Sequence, residues 1–339
     1  MSLFKRKGFN NKRYIRLQKE EILKRVERFG EKLYLEIGGK LLDDLHASRV
    51  LVGFKPTVKI DMLRALNGKL EVIFCISSKH ITSKKVRGET GITYAEEGLR
   101  VIAELRQRGI FVSSIVVTLY NHEKVVDEFI EKLKNSGEKV YVHTYTKGYP
   151  NDVDTIVSDE GYGANPYIET TRPIVVVAGS GACSGKLATC LSQMYHEYKR
   201  GVNCGYAKYE SFPIWNLPLD HPINLAYEAA TADVMDVNMM DFFHKQAYGI
   251  DAVNYNRDLE IFPVMKAIFE KIAGTTIYNS PTDMGVNKIG YGIINDRIVR
   301  KASKEEIKRR YEKGIKDFEA GKITGETLDR LKEIYNKVF

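Results

Sequence analysis

The chain has 339 residues, 43% of them apolar, enough for one large or two modest buried cores, and its net charge of +8 points to an anionic small molecule or nucleotide as partner. The basic residues are dispersed, with small concentrations at Lys5-Arg6-Lys7, Lys84-Lys85-Arg87 and Lys308-Arg309-Arg310, which argues against the dense basic stripe of a nucleic-acid binder. Four cysteines without a C-x-x-C pair, no apolar signal core and no run long enough to span a bilayer set the expectation of a reduced, cytoplasmic protein with no membrane partner; a homo-oligomer is left open.

In chain order, Tyr14, Leu17, Ile22, Leu23 and Val26 form a helical stripe ending near Phe29-Gly30. A strand over 32–37 follows and closes on Gly38-Gly39-Lys40, a turn that also has the makeup of a phosphate-facing loop. Then come a short helix around Met62, Leu63 and Leu66, strand 70–76, helix 94–108, strand 110–119, helix 125–134, strand 139–145 and strand 174–177. This alternation predicts an α/β fold, doubly wound on a mainly parallel sheet, whose ligands bind in the loops after the strands. One of those loops, 77–90, carries Lys79, His80, Lys84, Lys85 and Arg87 with Gly88 and Gly91, and reads either as an anion lid or as a solvated basic loop. The segment 153–163 ends on Asp159-Glu160-Gly161, where the two carboxylates would suit Mg²⁺ on a nucleotide, although a loose likeness to a metal-binding strand competes with a plain turn.

The centre of the sequence is 174–186. Aliphatic residues at 174–177 make a strand buried on both faces, Gly179, Gly181 and Gly185 break it, and Leu187, Leu191, Met194 and Tyr195 resume at helical spacing. A P-loop-like strand-loop-helix of this kind offers unsatisfied N–H groups at a helix N-terminus, and Lys186 adds a full charge. The strict pattern Gly-x4-Gly-Lys-Ser/Thr fails twice, because Ser180 stands at its first glycine and Leu187 at its hydroxyl; Ser184 or Thr189 would have to supply the missing oxygen. Arg172 just upstream would offset phosphate charge. Cys183 is a candidate reactive thiol, but Thr189 occupies the arginine of the phosphatase pattern Cys-x5-Arg, so a catalytic thiol is not expected.

Beyond the central helix, 202–212 is strand-like, a Pro-punctuated loop follows, and 224–236 reads as a helix with a polar side of Glu228, Thr231 and Asp233. His221 in the preceding loop could reach that face, which makes His221, Glu228 and Asp233 candidates for acid-base work. Neither they nor Asp236, Asp241 and His244 match a zinc-ligand spacing. Residues 250–300 suggest a smaller lobe, and 303–339 reads as helices, with Ser303 and Glu306 as a capping box and a break at Thr324-Gly325-Glu326. The expected division is a P-loop-like α/β domain over 1–235, a smaller lobe over 236–300 and a C-terminal helical segment over 301–339.

Long runs of the chain resemble a bacterial family, uncharacterised protein family 0371, also called domain of unknown function 1846. They include Lys32-Leu33-Tyr34-Leu35-Glu36, Asp159-Glu160-Gly161-Tyr162-Gly163, Thr171-Arg172-Pro173, Ser184-Gly185-Lys186, Trp215-Asn216-Leu217-Pro218, Glu228-Ala229-Ala230-Thr231-Ala232-Asp233 and Ser280-Pro281-Thr282-Asp283-Met284-Gly285. The resemblance covers roughly 9–312 and implies an α/β fold, a further C-terminal domain in other members, glycine at the position of Cys183, and no particular activity. Function therefore rests on the residues. They point to a protein that binds a nucleotide such as ATP with Mg²⁺, or a phosphometabolite, as a phosphoryl- or nucleotide-handling enzyme, against the alternative of a non-catalytic anion-sensing or RNA-associated module.

Overall fold

The computed structural model of the protein describes residues 7–30, 32–84, 86 and 91–339. Its elements run α1 (Asn11–Phe29), β1 (Lys32–Ile37), α2 (Leu45–Val50), α3 (Val58–Ala65), β2 (Leu70–Ser77), α4 (Ser78–Thr82), α5 (Tyr94–Gln107), β3 (Val112–Tyr120), α6 (Lys124–Asn135), β4 (Val140–Thr144) and α7 (Val153–Ile156). They continue with β5 (Ile174–Gly179), α8 (Lys186–Lys199), β6 (Cys204–Tyr209), α9 (Pro222–Ala230), β7 (Asn238–Met240), α10 (Phe242–Tyr248), β8 (Val253–Tyr255), α11 (Asn256–Ala273), α12 (Pro281–Met284), α13 (Asp296–Glu319) and α14 (Gly325–Asn336).

Six strands form one sheet in the order β4-β3-β2-β5-β1-β6, and every pairing in it is parallel. Parallel strands need crossover helices, and these cover both faces. Alternate residues of each strand therefore enter different cores. Leu33 and Leu35 of β1, Phe74 and Ile76 of β2 and Val176 of β5 join Ile22 of α1, Met62 of α3 and Val101 of α5. Tyr34, Ile73, Val175, Val177 and Tyr206 point the other way, onto Leu191 and Met194 of α8 and Phe262 and Phe269 of α11. Burial of each such side chain is worth about 1.5 to 3 kcal/mol, so the two cores together fix the register.

The topology also places the ligand-bearing edge. From β2 the chain moves outward through β3 to β4, whereas from β5 it moves the opposite way to β6. Neighbouring strands whose connections diverge leave a crevice at their carboxyl ends, and here that crevice lies where β5 gives way to α8.

Several local expectations need correction. The run 153–163 is not a strand: Asp152 accepts from the Thr155 N–H at 3.0 Å and starts the short α7. The helix expected over 224–236 stops at Ala230, after which 232–234 is a 3-10 turn and Met235 has φ 56°. Ser303 and Glu306 make no capping box, because Asn295 already caps α13 through the Ile298 N–H and the polar run after it carries the helix straight through Ser303, whose hydroxyl donates to the Val299 carbonyl at 2.8 Å. A capping box does occur at Thr93 and Glu96, on α5. The expected break at Thr324-Gly325-Glu326 separates α13 from α14, and Thr324 caps α14. The segment beyond 235 has its own antiparallel β7–β8 pair, yet α11 contributes to the second core, and Val299, Ile307, Leu331 and Ile334 of α13 and α14 contribute to the first.

Candidate functional site

The loop between β5 and α8 is built by close approach. Gly185, with φ +76°, precedes α8, and a Cβ there would lie 2.7 Å from Thr118; at Gly179 it would lie 2.2 Å from the Ser184 hydroxyl. Thr118 donates to the Ser184 carbonyl at 2.9 Å, pinning the loop to β3, and His80 on α4 meets the Ser180 hydroxyl at 2.9 Å while stacking on Tyr94. The first helical hydrogen bond of α8 runs from the Thr189 N–H to the Gly185 carbonyl, so the N–H groups of Lys186, Leu187 and Ala188 stand ahead of it at the positive end of the helix. Lys186 curls back: its Nζ lies 3.2 Å from the Gly181 carbonyl and 3.4 Å from the Ser184 hydroxyl. The loop opens on a cleft of about 530 Å³ whose walls include Glu36, Tyr145, Tyr149, Cys183, Lys186 and Arg257.

Beside it, the carboxyl ends of β1 and β6 carry charged side chains. Glu36 and Lys208 are register partners, so both face the α8 side, and Glu210 follows two residues on with the same parity. Glu36 accepts from the buried Tyr206 hydroxyl at 2.7 Å. Lys208 donates to both Asp258 oxygens, at 2.9 and 2.7 Å, lies 3.2 Å from Glu210 and also meets the Tyr255 hydroxyl. Burial alone would lower Lys208, but the surrounding Asp258 and Glu210 carboxylates outweigh it and hold the amine charged. Burial pushes Glu210 the other way, up to about 7 against the opposing pull of Lys208. Gly38 makes room for this carboxylate, since a Cβ there would lie 2.2 Å from Glu210 Cγ.

These features share one groove. The loop cleft shares Tyr149, Leu187 and Arg257 with the hollow over Tyr255; that hollow shares Lys208 and Asp258 with the one beneath Trp215 and His244; and the latter shares Glu210 with a basic hollow lined by Gly38, Gly39, Lys40, Lys59 and Arg310. The groove thus crosses the carboxyl ends of β5, β1 and β6.

Of the residues singled out in the sequence, Gly179, Gly181, Ser184, Gly185 and Lys186 meet in the β5–α8 loop, and Gly38, Gly39 and Lys40 lie along the same sheet edge in the basic hollow. Lys85 and Arg87 lie outside the described residues. Thr189 faces inward, donating to the Gly185 carbonyl at 2.9 Å with its side chain buried, so it offers no hydroxyl to the cleft. Arg172 is at the amino end of β5, opposite the groove, where it donates to the Leu70 carbonyl and covers Phe111. Asp159 is bound by Tyr195 at 2.8 Å and by Lys199 in the last turn of α8, while Glu160 pairs with Lys147 at the surface; neither lines the cleft. Among the described residues no group of three or more His, Cys, Asp or Glu is arranged to hold a metal ion. His221 caps α9 through the Ile223 N–H and meets Asp296 at 2.9 Å, Glu228 is engaged by Arg330 and the Asn238 N–H, and Asp233 sits beside Arg309 and Lys313 in a different hollow. His221 therefore does not reach the Glu228 face. The residues that sequence reading missed are Glu36, Lys208, Glu210, Tyr255 and Asp258. Their signal was charge at two-residue spacing inside buried strands, Glu36 in β1 and Lys208 with Glu210 at the end of β6.

Among the described residues no helix is long and apolar enough to cross a membrane. Comparison with known proteins matches residues 7–338 to the family model "Domain of unknown function DUF1846, N-terminal". The chain is 56% identical over 332 residues to a UPF0371 protein of Clostridium tetani (strain Massachusetts / E88), covering 98% of this chain and 66% of that relative. It is 55% identical over the same length, with the same coverage, to UPF0371 proteins of Clostridium botulinum, strains Kyoto and ATCC 19397. The chain thus spans 66% of the length of these relatives. With nearly its whole length matched, the chain belongs to the DUF1846 family of bacterial UPF0371 proteins.

Proposed function

We propose that the groove binds a phosphate-bearing small molecule, a nucleotide or phosphometabolite, and that the protein acts on it as a phosphoryl- or nucleotide-handling enzyme. The observation that carries this reading is the β5–α8 loop, which aims the first-turn N–H groups of α8 and the Lys186 ammonium at a cleft on the carboxyl edge of a parallel sheet. Lys186 is held by a carbonyl and a hydroxyl, both neutral groups that an anion readily outcompetes. Arg257 adds a second cation to the wall, although Asp236 engages it at 2.6 Å. Tyr145 and Tyr149 provide faces for a base or sugar. A nucleotide-bound Mg²⁺ would meet Glu36 here, since one carboxylate with phosphate oxygens and waters suits that ion.

Transfer of a phosphoryl group needs positioning, charge stabilisation and one group that exchanges a proton. Glu210 is the groove carboxylate whose charge changes near neutrality, which suits it to that last role. A calorimetric titration with ATP, GTP and sugar phosphates, with and without Mg²⁺, tests the reading. Lys186→Ala should weaken the responding ligand by about 1.5 to 3 kcal/mol, the scale of a lost charged hydrogen bond. Equal affinity in wild type and variant would exclude the loop as the phosphate site. Tight binding without turnover across the panel would favour the anion-sensing alternative.

A further inference from the structure

The far end of the groove carries an arrangement that the Lys186 loop does not explain. The hollow of about 250 Å³ after β1 is lined by Lys40, Arg49, Lys59 and Arg310, set against Asp44 and Glu210. Glu306 sits behind Arg49 at 3.0 Å and Arg310 at 2.8 Å, so the two guanidiniums share one carboxylate at the back of the hollow, and Glu210 is only partly charged near neutrality. Lys59 is almost wholly buried, held by the Lys40 carbonyl at 2.8 Å and Asp44 at 3.1 Å. His46 also lines the hollow. Both of its ring nitrogens are buried without a hydrogen-bond partner, its nearest carboxylate oxygen standing 3.7 Å away on Glu306, and Phe212 packs against the ring at 4.9 Å. An unsatisfied buried imidazole costs about 1 to 3 kcal/mol, so its persistence beside a cavity marks a place where a ligand completes the bonding. The Gly38-Gly39 turn leaves the hollow open, with Gly39 at φ +65° and only Lys59 Nζ, 3.9 Å away, near the space a side chain would take.

We propose that this hollow is a second phosphate site, so that the groove takes a molecule with phosphate groups at both ends, one on the Lys186 loop and one on Lys40, His46 and Arg310. The inference rests on the phosphate reading of the Lys186 loop. Guanidinium, ammonium and imidazole donors converging from α2, α3 and α13 are the set that a phosphate recruits, and the shared walls connect the two ends past Glu210. Adjacent strands stand about 4.8 Å apart, so crossing from β5 through β1 to β6 takes roughly 10 Å, a span that a phosphorylated sugar or short chain covers.

The test uses the whole chain and two probes, inorganic phosphate and a flexible alkane bisphosphate, followed by ³¹P line broadening and calorimetry. Wild type should bind two inorganic phosphates but one bisphosphate, the latter at least about tenfold tighter than either single phosphate, because the second contact is intramolecular. Lys186→Ala and Lys40→Ala should each remove one phosphate and return the bisphosphate to single-site affinity, while Lys40→Arg should keep both; circular dichroism confirms that each variant is folded. If Lys40→Ala still binds two phosphates, the second site is wrong and the loop reading stands. If only the Lys40 change matters, the loop reading is wrong and the distal hollow remains as a separate site. Two bisphosphates per chain would overturn the bridging ligand, and no binding of either probe would overturn both sites.

Discussion

Two carboxylates, Glu306 buried and Glu210 half-buried, make an instructive pair. Glu306, on α13, is engaged by Arg309 at 2.7 Å, Arg310 at 2.8 Å and Arg49 at 3.0 Å; burial works to raise its pKa, but these guanidiniums overcome it and hold the carboxyl far below the usual range. Glu210, at the end of β6, has one ammonium at 3.2 Å shared with Asp258, and burial lifts it to about 7. Glu306 lines none of the hollows of the groove, whereas Glu210 lines two. The lesson is that a buried charge saturated by partners is a strut, and a buried charge short of partners beside a cavity is available for chemistry. By that criterion Glu228 and His221 belong with Glu306. Arg330 ties Glu228 to α14, and Asp296 ties His221 to α13.

The largest expected effect comes from breaking the strut. Glu306→Ala leaves Arg49, Arg309 and Arg310 facing one another and should cost about 3 to 5 kcal/mol in chemical unfolding. Its pH dependence has a definite sign: because the folded pKa lies below the ordinary 4.5, the stabilisation is fully present above 4.5 and is lost as pH falls below it. A Glu306→Gln variant should accordingly lose less stability than wild type on acidification, and parallel acid-unfolding curves would refute the strut.

Next in size is the converse behaviour at Glu210. Its folded pKa is raised, so the stabilisation from the bound proton is present below 4.5 and disappears as pH rises toward 7. Wild type should therefore lose stability across that window relative to Glu210→Gln, whose amide cannot titrate. Equal pH slopes for the two proteins would show that Glu210 does not exchange its proton near neutrality. The smallest effects are expected off the groove. Glu228→Gln should lower stability by about 1 to 3 kcal/mol through the bond to Arg330, and Asp159→Asn should change it by less than about 0.5 kcal/mol, while neither alters affinity for a nucleotide or its Mg²⁺ dependence. A shift in Mg²⁺ dependence with Asp159→Asn would return that carboxylate to the site.

Much of the fold was legible because the signals are local. The short, mostly apolar runs at 70–76, 115–117 and 174–177, rich in β-branched residues, are the mark of strands inside a covered sheet, and Gly30 ends α1 where the stripe of Tyr14, Ile22 and Val26 runs out. The β5–α8 loop was legible for the same reason. The cluster at β1 and β6 was not, because it depends on pairing: Tyr206 reaches Glu36 across 170 residues, and only the register of two parallel strands makes Glu36 and Lys208 neighbours. Arg172 and Thr189 misled for a related reason. Sequence proximity to Lys186 places them near it along the chain, but the length of β5 carries Arg172 to the opposite sheet edge, and the turn of α8 points Thr189 into the core. Glu228 reads as part of a polar helix side, but α14 folds over α9 and Arg330 buries it, while Asp233 lies exposed beyond the end of that helix.

Backbone protection in the β5–α8 loop tests the account most directly, because an anion held by helix N–H groups slows their exchange without requiring any substitution. Hydrogen–deuterium exchange should be followed with and without a saturating nucleotide or bisphosphate identified by titration. Slowed exchange is predicted at the amides of 181–188, with none at 158–161 or 228–234. Protection confined to 158–161 or 228–234, with the loop amides exchanging as in the free protein, would contradict it.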